Sequence, residues 1–219
     1  MHKMISPFVL QKKIQGWAKN EDAEAIRPYS MEQLEKDVLK MLNSQNSHQG
    51  IWVFGYGSLM WNPDVRFSQM EQVLLEGYHR RLCLRSTYYR GTTEQPGIVM
   101  GLAPGGSCSG RLFFIPEEHY FPDLLELWDR EMLSGTYLPQ WVRIERISGP
   151  TEALTFVAKQ DHEHYLPPSN LKDIANTVAR ANGQRGTNLE YLKKTVEILH
   201  ELKLRDTVLE RILTLAMMN

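Results

Sequence analysis

The 219-residue sequence has almost no charge bias, since 25 basic residues stand against 26 acidic ones for a formal net charge of −1 at pH 7. Without an excess of either sign, neither nucleic acid nor an anionic membrane is expected as a partner. The one basic cluster, His79, Arg80, Arg81, Arg85 and Arg90, is read as the solvent face of a strand. Only two cysteines are present, Cys83 and Cys108, both in strand-like segments, so at most one bridge is available and reduced thiols are the expectation. No apolar run approaches a membrane span, and Pro7 interrupts the N-terminus before any stretch suited to a signal peptide, which predicts a cytoplasmic protein. No Pro/Gly/Ser-rich linker or composition break divides the chain. The expected organisation is an N-terminal helical extension, residues 1–50, before one domain, residues 51–219.

Several catalytic signatures are also missing. After Gly55 and Gly57 no third glycine completes a dinucleotide-binding fingerprint, and Ser58 lacks the trailing glycine of a nucleophile elbow. A hydrolase triad is therefore disfavoured. His162 and His164 stand two apart, but Asp161 and Pro167-Pro168 around them predict a solvated turn, and the further ligands that zinc requires are not evident. No metal site is expected.

What is present begins with Ser30, which opens a Ser-x-x-Gln capping pattern before Met31, Leu34, Val38, Met41 and Leu42 at helical spacing, followed by a polar loop over 43–50. From Ile51 the pattern changes to β-branched and aromatic runs at 51–55, 72–77, 81–88, 97–103, 110–115, 140–147 and 152–158, with short glycine- and proline-bearing connections that favour antiparallel neighbours. One helix interrupts them. Pro116-Glu117-Glu118 suits a helix start, Pro122 restarts the helix one turn later, and Leu124, Leu125, Leu127, Trp128 and Met132 carry it to Gly135. Beyond Pro168 the pattern is helical from Asn170, broken at 183–186, restarted by a Thr187-x-x-Glu190 capping box and completed by a helix near 206–217. The predicted class is α+β, a small mixed, mainly antiparallel β-barrel or curved sheet with flanking helices.

Two segments carry chemistry. Phe54-Gly55-Tyr56-Gly57-Ser58-Leu59-Met60 is a glycine-bracketed turn after an apolar strand, whose backbone N–H groups can converge on a small anion or carbonyl; taken alone, such an element is more often only a tight turn or bulge. Glu131 lies beside Trp128, Met132 and Leu133 near a helix C-terminus, where the dipole and apolar neighbours raise a carboxyl pKa toward the range useful for proton transfer. Most glutamates instead pair on a helix surface, and Asp129 and Glu126 are its local, better-solvated competitors.

Taken in order, residues 53–63, Arg90-Gly91-Thr92 with Pro96-Gly97, Trp128-Asp129-Arg130-Glu131-Met132 through Tyr137-Leu138-Pro139, and Gly186-Thr187-Asn188 with Tyr191-Leu192 resemble the γ-glutamylcyclotransferases, specifically the ChaC-type branch that acts on glutathione. The resemblance spans about residues 51 to 200. It implies a small mixed barrel with flanking helices and a carbon–nitrogen lyase reaction in which glutathione yields 5-oxoproline and cysteinylglycine, with no metal or cofactor. Carried over by position, Tyr56, Gly57, Ser58 and Leu59 resemble the γ-glutamyl-binding loop and Glu131 the acid/base. Whether that loop grips the α-carboxylate or the developing oxyanion is open. Tyr137 and Tyr191 read either as substrate hydrogen-bonders or as core tyrosines, and Arg90 either as a partner of the glycyl carboxylate or as an exposed structural arginine. The rival readings are a cyclotransferase for other γ-glutamyl amines and a non-catalytic γ-glutamyl-binding regulator linked to cation transport.

Overall fold

A computed structural model of the chain describes residues 28–44 and 49–218; the reading of Pro7 and residues 45–48 of the polar loop expected over 43–50 lie outside them. Helix α1, Met31–Asn43, starts where the capping pattern places it, with Ser30 Oγ accepting from the Gln33 N–H at 3.2 Å. Its Leu34 and Val38 are fully buried against Trp128, Leu124 and Ile51.

Five strands form one sheet. They are β1, Gly50–Gly55; β2, Gln69–Ser86; β3, Gly97–Pro116; β4, Tyr137–Ile144; and β5, Thr151–Ala158, in the spatial order β2-β3-β1-β5-β4. All pairings are antiparallel except β1 with β5, where Trp52 lies opposite Ala153 and Val53 opposite Leu154. The four segments expected over 72–115 are two long strands. Gly77, Gly105 and Gly106 adopt φ of +84°, +93° and +71°, conformations that cost glycine little, so the ribbon passes through a bulge after Glu76 and continues. The sheet curls into a half-barrel: Gln140 on β4 donates to Tyr78 Oη on β2 at 3.0 Å, and Arg146 just past β4 pairs with Glu71 on β2.

Strand alternation sends Phe54, Met100 and Leu112 to one face and Ile51, Val53 and Ile115 to the other. The second face is covered by α1 and by α2, Glu117–Glu131. This helix runs unbroken through Pro122 and stops four residues earlier than expected: the Met132 N–H makes the last helical bond, to Trp128 O at 2.8 Å, and a tighter turn, Gly135 N–H to Met132 O at 3.1 Å, carries the chain away at Gly135, φ +68°. The first face is covered by α3, Leu171–Arg180; α4, Asn188–Glu201; and α5, Thr207–Met217. Between α3 and α4 a two-stranded hairpin, β6 Asn182–Gly183 and β7 Gly186–Thr187, interrupts the helices where the glycines predict a break. The expected capping box forms, with Thr187 Oγ1 accepting from the Glu190 N–H at 3.1 Å and the Glu190 carboxylate accepting from the Thr187 N–H at 3.2 Å.

The basic cluster is mostly not a solvent face. Arg80 donates to Tyr56 O at 2.7 Å and to Ser109 O, Arg81 donates to Leu166 O at 2.7 Å, and Arg90 is buried; Arg85 alone of the four arginines is exposed. The guanidinium groups of Arg80, Arg81 and Arg90 donate to backbone carbonyls and so tie neighbouring segments together. Cys83 and Cys108 are free and buried. Among the described residues no helix is long and apolar enough to cross a membrane.

Candidate active site

At the end of β1 the chain bends through Gly57, at φ −123° and ψ −126°, into a single 3-10 turn over Ser58–Met60. The turn closes on its own carbonyls, with the Met60 N–H at 3.0 Å from Gly57 O and the Asn62 N–H at 2.8 Å from Ser58 O. Among the described residues the N–H groups of Gly57, Ser58 and Leu59 have no acceptor. Arginines hold the loop from outside: Arg80 takes Tyr56 O, and Arg111 donates to Met60 O at 2.7 Å. The loop packs closely here, since a Cβ on Gly57 would lie 3.2 Å from Met100 Cβ and 3.4 Å from Tyr191 Oη.

Glu131 is the last residue of α2, and its side chain is only 12% exposed. Burial raises its pKa above the usual carboxylate range; Arg130 and Arg185 pull it down and Asp64 pushes it up. Arg130 joins helix to loop, with Nε 3.1 Å from the Glu131 carboxylate, Nη2 donating to Ser58 Oγ at 2.8 Å, and Nη1 donating to Asn62 O at 2.8 Å and to the Asp64 carboxylate at 2.7 Å. The competitors Glu126 and Asp129 border neither cavity of the site.

Three tyrosines complete the inner wall. Tyr56 Oη donates to Phe156 O at 2.7 Å, Tyr137 Oη donates to Met100 O at 2.6 Å, and Tyr191 Oη accepts from the Met100 N–H at 3.0 Å. Burial pushes all three phenol pKa values up, with the Glu131 charge adding to it. Tyr56, Gly57, Ser58, Leu59, Glu131, Tyr137 and Tyr191 together line an inner cavity of about 20 Å³, room for roughly one water. Ser58, Glu131, Tyr137 and Tyr191 also border an outer cavity of about 440 Å³, within the range of roughly 300–1,000 Å³ found for small-molecule sites.

Arg90 borders the outer cavity and is buried, not exposed. One nitrogen, Nη1, donates to Arg185 O and, at 3.4 Å, to Thr187 O, and the guanidinium lies 5.5 Å from the Tyr191 ring centroid; burial lowers its pKa. Its position braces the β6–β7 hairpin under the site.

Sequence reasoning passed over Arg130, although it adjoins Glu131, and Arg185, whose guanidinium sits 4.0 Å over the Tyr89 ring on the outer wall. It also read His162 and His164 only as part of a solvated turn. Both border the outer cavity, their rings 5.2 Å apart, with the His164 N–H donating to His162 Nδ1 at 3.1 Å and burial lowering the His164 pKa. The signal that places them there is the bridge between Tyr165 and Leu84, which folds the 160–166 turn back onto β2. Among the described residues no group of three or more His, Cys, Asp or Glu could hold a metal ion.

The sequence model described as ChaC-like protein matches residues 51–218. The chain is 37% identical over 186 residues, 84% of its own length and 80% of the relative's, to a protein named glutathione-specific gamma-glutamylcyclotransferase from Escherichia coli (strain K12). It is 32% identical over 156 residues, 69% of its length and 70% of the relative's, to glutathione-specific gamma-glutamylcyclotransferase 1 of Homo sapiens. The solved structure of a γ-glutamyl cyclotransferase specific to glutathione from yeast superposes with a TM-score of 0.71 at 22% identity, covering 78% of this chain and 97% of that one, a likeness of fold. With the glycine loop, the helix-terminal carboxyl and the half-barrel that brings them together, these matches establish that the chain belongs to the ChaC-like protein family.

Proposed function

We infer that the chain is a γ-glutamylcyclotransferase acting on glutathione, releasing 5-oxoproline and cysteinylglycine. The observation that carries this reading is one carboxyl, Glu131, on the wall shared by a water-sized inner cavity against the glycine loop and an outer cavity large enough for a small peptide. The names of the relatives support glutathione as the substrate.

The substrate supplies its own nucleophile. Its α-amine, with a reference pKa of about 8 for such groups, is mostly ammonium at neutral pH and attacks only after losing a proton. Glu131, its pKa raised toward neutrality, takes that proton. The nitrogen lone pair then forms a bond to the γ-carbonyl carbon while the carbonyl π pair moves onto oxygen; collapse of the oxyanion breaks the amide C–N bond. Two protons leave the α-nitrogen, and both end on the departing amine, carried by Glu131, which returns to its starting state. Ring closure needs one folded conformer held in place, so the rate gain is chiefly positional. The unspent N–H groups at 57–59 bind the γ-glutamyl end, and Arg130 keeps loop and carboxyl in register. Incubation of the purified protein with glutathione, followed by detection of 5-oxoproline and cysteinylglycine, tests the reading; preference for γ-glutamyl-alanine or γ-glutamyl-ε-lysine would reassign the substrate, and binding of 5-oxoproline without any turnover would indicate a non-catalytic binder.

A further inference from the structure

The three tyrosine hydroxyls of the inner cavity look alike in sequence but do not present the same chemistry to a ligand. Phe156 O and Met100 O are carbonyls, which only accept, so the hydroxyls of Tyr56 and Tyr137 must spend their single protons on them. What these two oxygens have left is lone pairs. The Met100 N–H only donates, so Tyr191 Oη must accept from it and keeps its own proton. Among the described residues that proton has no acceptor. The polarity is set by backbone groups of β3 and β5 and is therefore independent of any choice of hydroxyl rotamer.

Resting on the cyclotransferase reading, we propose that this polarity divides the substrate's head: Tyr56 and Tyr137 accept hydrogen bonds from the α-amine beside Glu131, and Tyr191 donates to the γ-carbonyl oxygen as it becomes an oxyanion. Each part follows from what the groups can do. An ammonium or amine carries only donors at its hydrogens and requires acceptors, which the inner cavity offers at Tyr56, Tyr137 and the Glu131 carboxylate. A developing oxyanion requires a donor already aimed and already dry, and Tyr191 is buried with its proton unspent. Tyr191 is anchored at Met100 next to Gly57, and it lines the same inner cavity as loop residues 57–59. The loop is then left to the α-carboxylate, which needs several donors at once, and one phenol serves the oxygen whose charge changes during the reaction. No covalent step is added to the chemistry above. The assignment fixes which atom of the substrate lies against which hydroxyl.

The test compares Tyr191→Phe, Tyr137→Phe and Tyr56→Phe with the parent, using glutathione as substrate and glutaryl-cysteinylglycine, which lacks the α-amine and cannot cyclise, as competitive inhibitor. Tyr191→Phe is expected to lower kcat by about 100-fold, the usual loss for one oxyanion donor, with KM changed by less than about threefold. Tyr137→Phe and Tyr56→Phe are expected to weaken glutathione by about tenfold while leaving the inhibition constant of the amine-free analogue unchanged, because the lost acceptor has nothing to bind in that analogue. The analogue's binding also reports that each variant's site is folded. Equal weakening of glutathione and the analogue in Tyr137→Phe, or an undiminished kcat in Tyr191→Phe, overturns the assignment while glutathione turnover by the parent still stands. Absence of 5-oxoproline release by the parent overturns the cyclotransferase reading and this assignment with it.

Discussion

Arg130 reaches across from the end of α2 to donate to Ser58 Oγ at 2.8 Å while its Nε stays 3.1 Å from the carboxylate of its own neighbour, Glu131. A loop that follows β1 and a carboxyl 73 positions further along are thus held by one guanidinium, and the distance between them does not depend on the intervening chain.

Replacing Arg130 by methionine removes that tie and a cation beside Glu131. Loss of its charged hydrogen bonds should lower kcat/KM by about 10- to 100-fold. With less positive charge nearby, the Glu131 pKa rises further, so the acid limb of the activity profile moves to higher pH. A pH profile of kcat/KM for parent and variant checks both expectations.

For Glu131→Gln, turnover should fall by about 100- to 10,000-fold with the fold kept. Its effect on stability has a definite sign. The folded-state pKa of Glu131 lies above the unfolded one, so the carboxyl's contribution is fully present below the unfolded pKa and is lost as pH rises through the folded value. The amide has no such loss. Thermal melts should therefore coincide at low pH and show the variant more stable than the parent at pH 8; a variant that is less stable at pH 8 contradicts the buried-acid account.

Asn188 is fully buried, its Oδ1 accepting from the Ile98 N–H at 2.6 Å and its amide donating to Ile98 O at 2.8 Å. Truncation to alanine leaves a buried donor and acceptor of β3 without partners, which should cost about 2–5 kcal/mol. Urea unfolding measures the loss directly, and a change under about 1 kcal/mol would show that the β3 groups find other partners.

Gly57→Ala should separate activity from stability. The added methyl meets Met100 Cβ at 3.2 Å and Tyr191 Oη at 3.4 Å, contacts that neighbours relieve by a few tenths of an ångström. A site that works by position is sensitive to such shifts, and kcat/KM should drop by about tenfold or more while the urea midpoint moves little.

Much of this architecture is legible in the chain because local chemistry determines it. Ser30, Asn170, Thr187 and Asp206 each cap the helix that follows them, and alternation in 51–55 assigns Val53 and Phe54 to opposite faces. The joining of 72–77 to 81–88 was not legible, since a glycine that ends a strand and one that bends it share a sequence signal; only the pairing of Glu76 with Ser107 and Tyr78 with Pro104 distinguishes them. Of the residues that line the inner cavity, Glu131 and 56–59 stand out in sequence by residue type and setting. Arg90 and Arg185 were harder to read because their roles are set by a hairpin carbonyl and by the Tyr89 ring, neither of which sequence spacing specifies.

β1 stops at Gly55 opposite Arg111, so among the described residues no strand covers β3 on that side over residues 97–103. Asn188 takes both polar groups of Ile98, and Tyr191 and Tyr137 take those of Met100. Side chains of the site thus stand in for a missing strand. Ile98 and Met100 are buried, so their backbone groups have no recourse to water, and those of Met100 are satisfied by the same phenols that face the inner cavity. Natural variation at Tyr137 or Tyr191 is therefore under two constraints at once: a replacement that alters turnover also leaves a buried group of β3 without its partner, so damage to catalysis and loss of stability arise together.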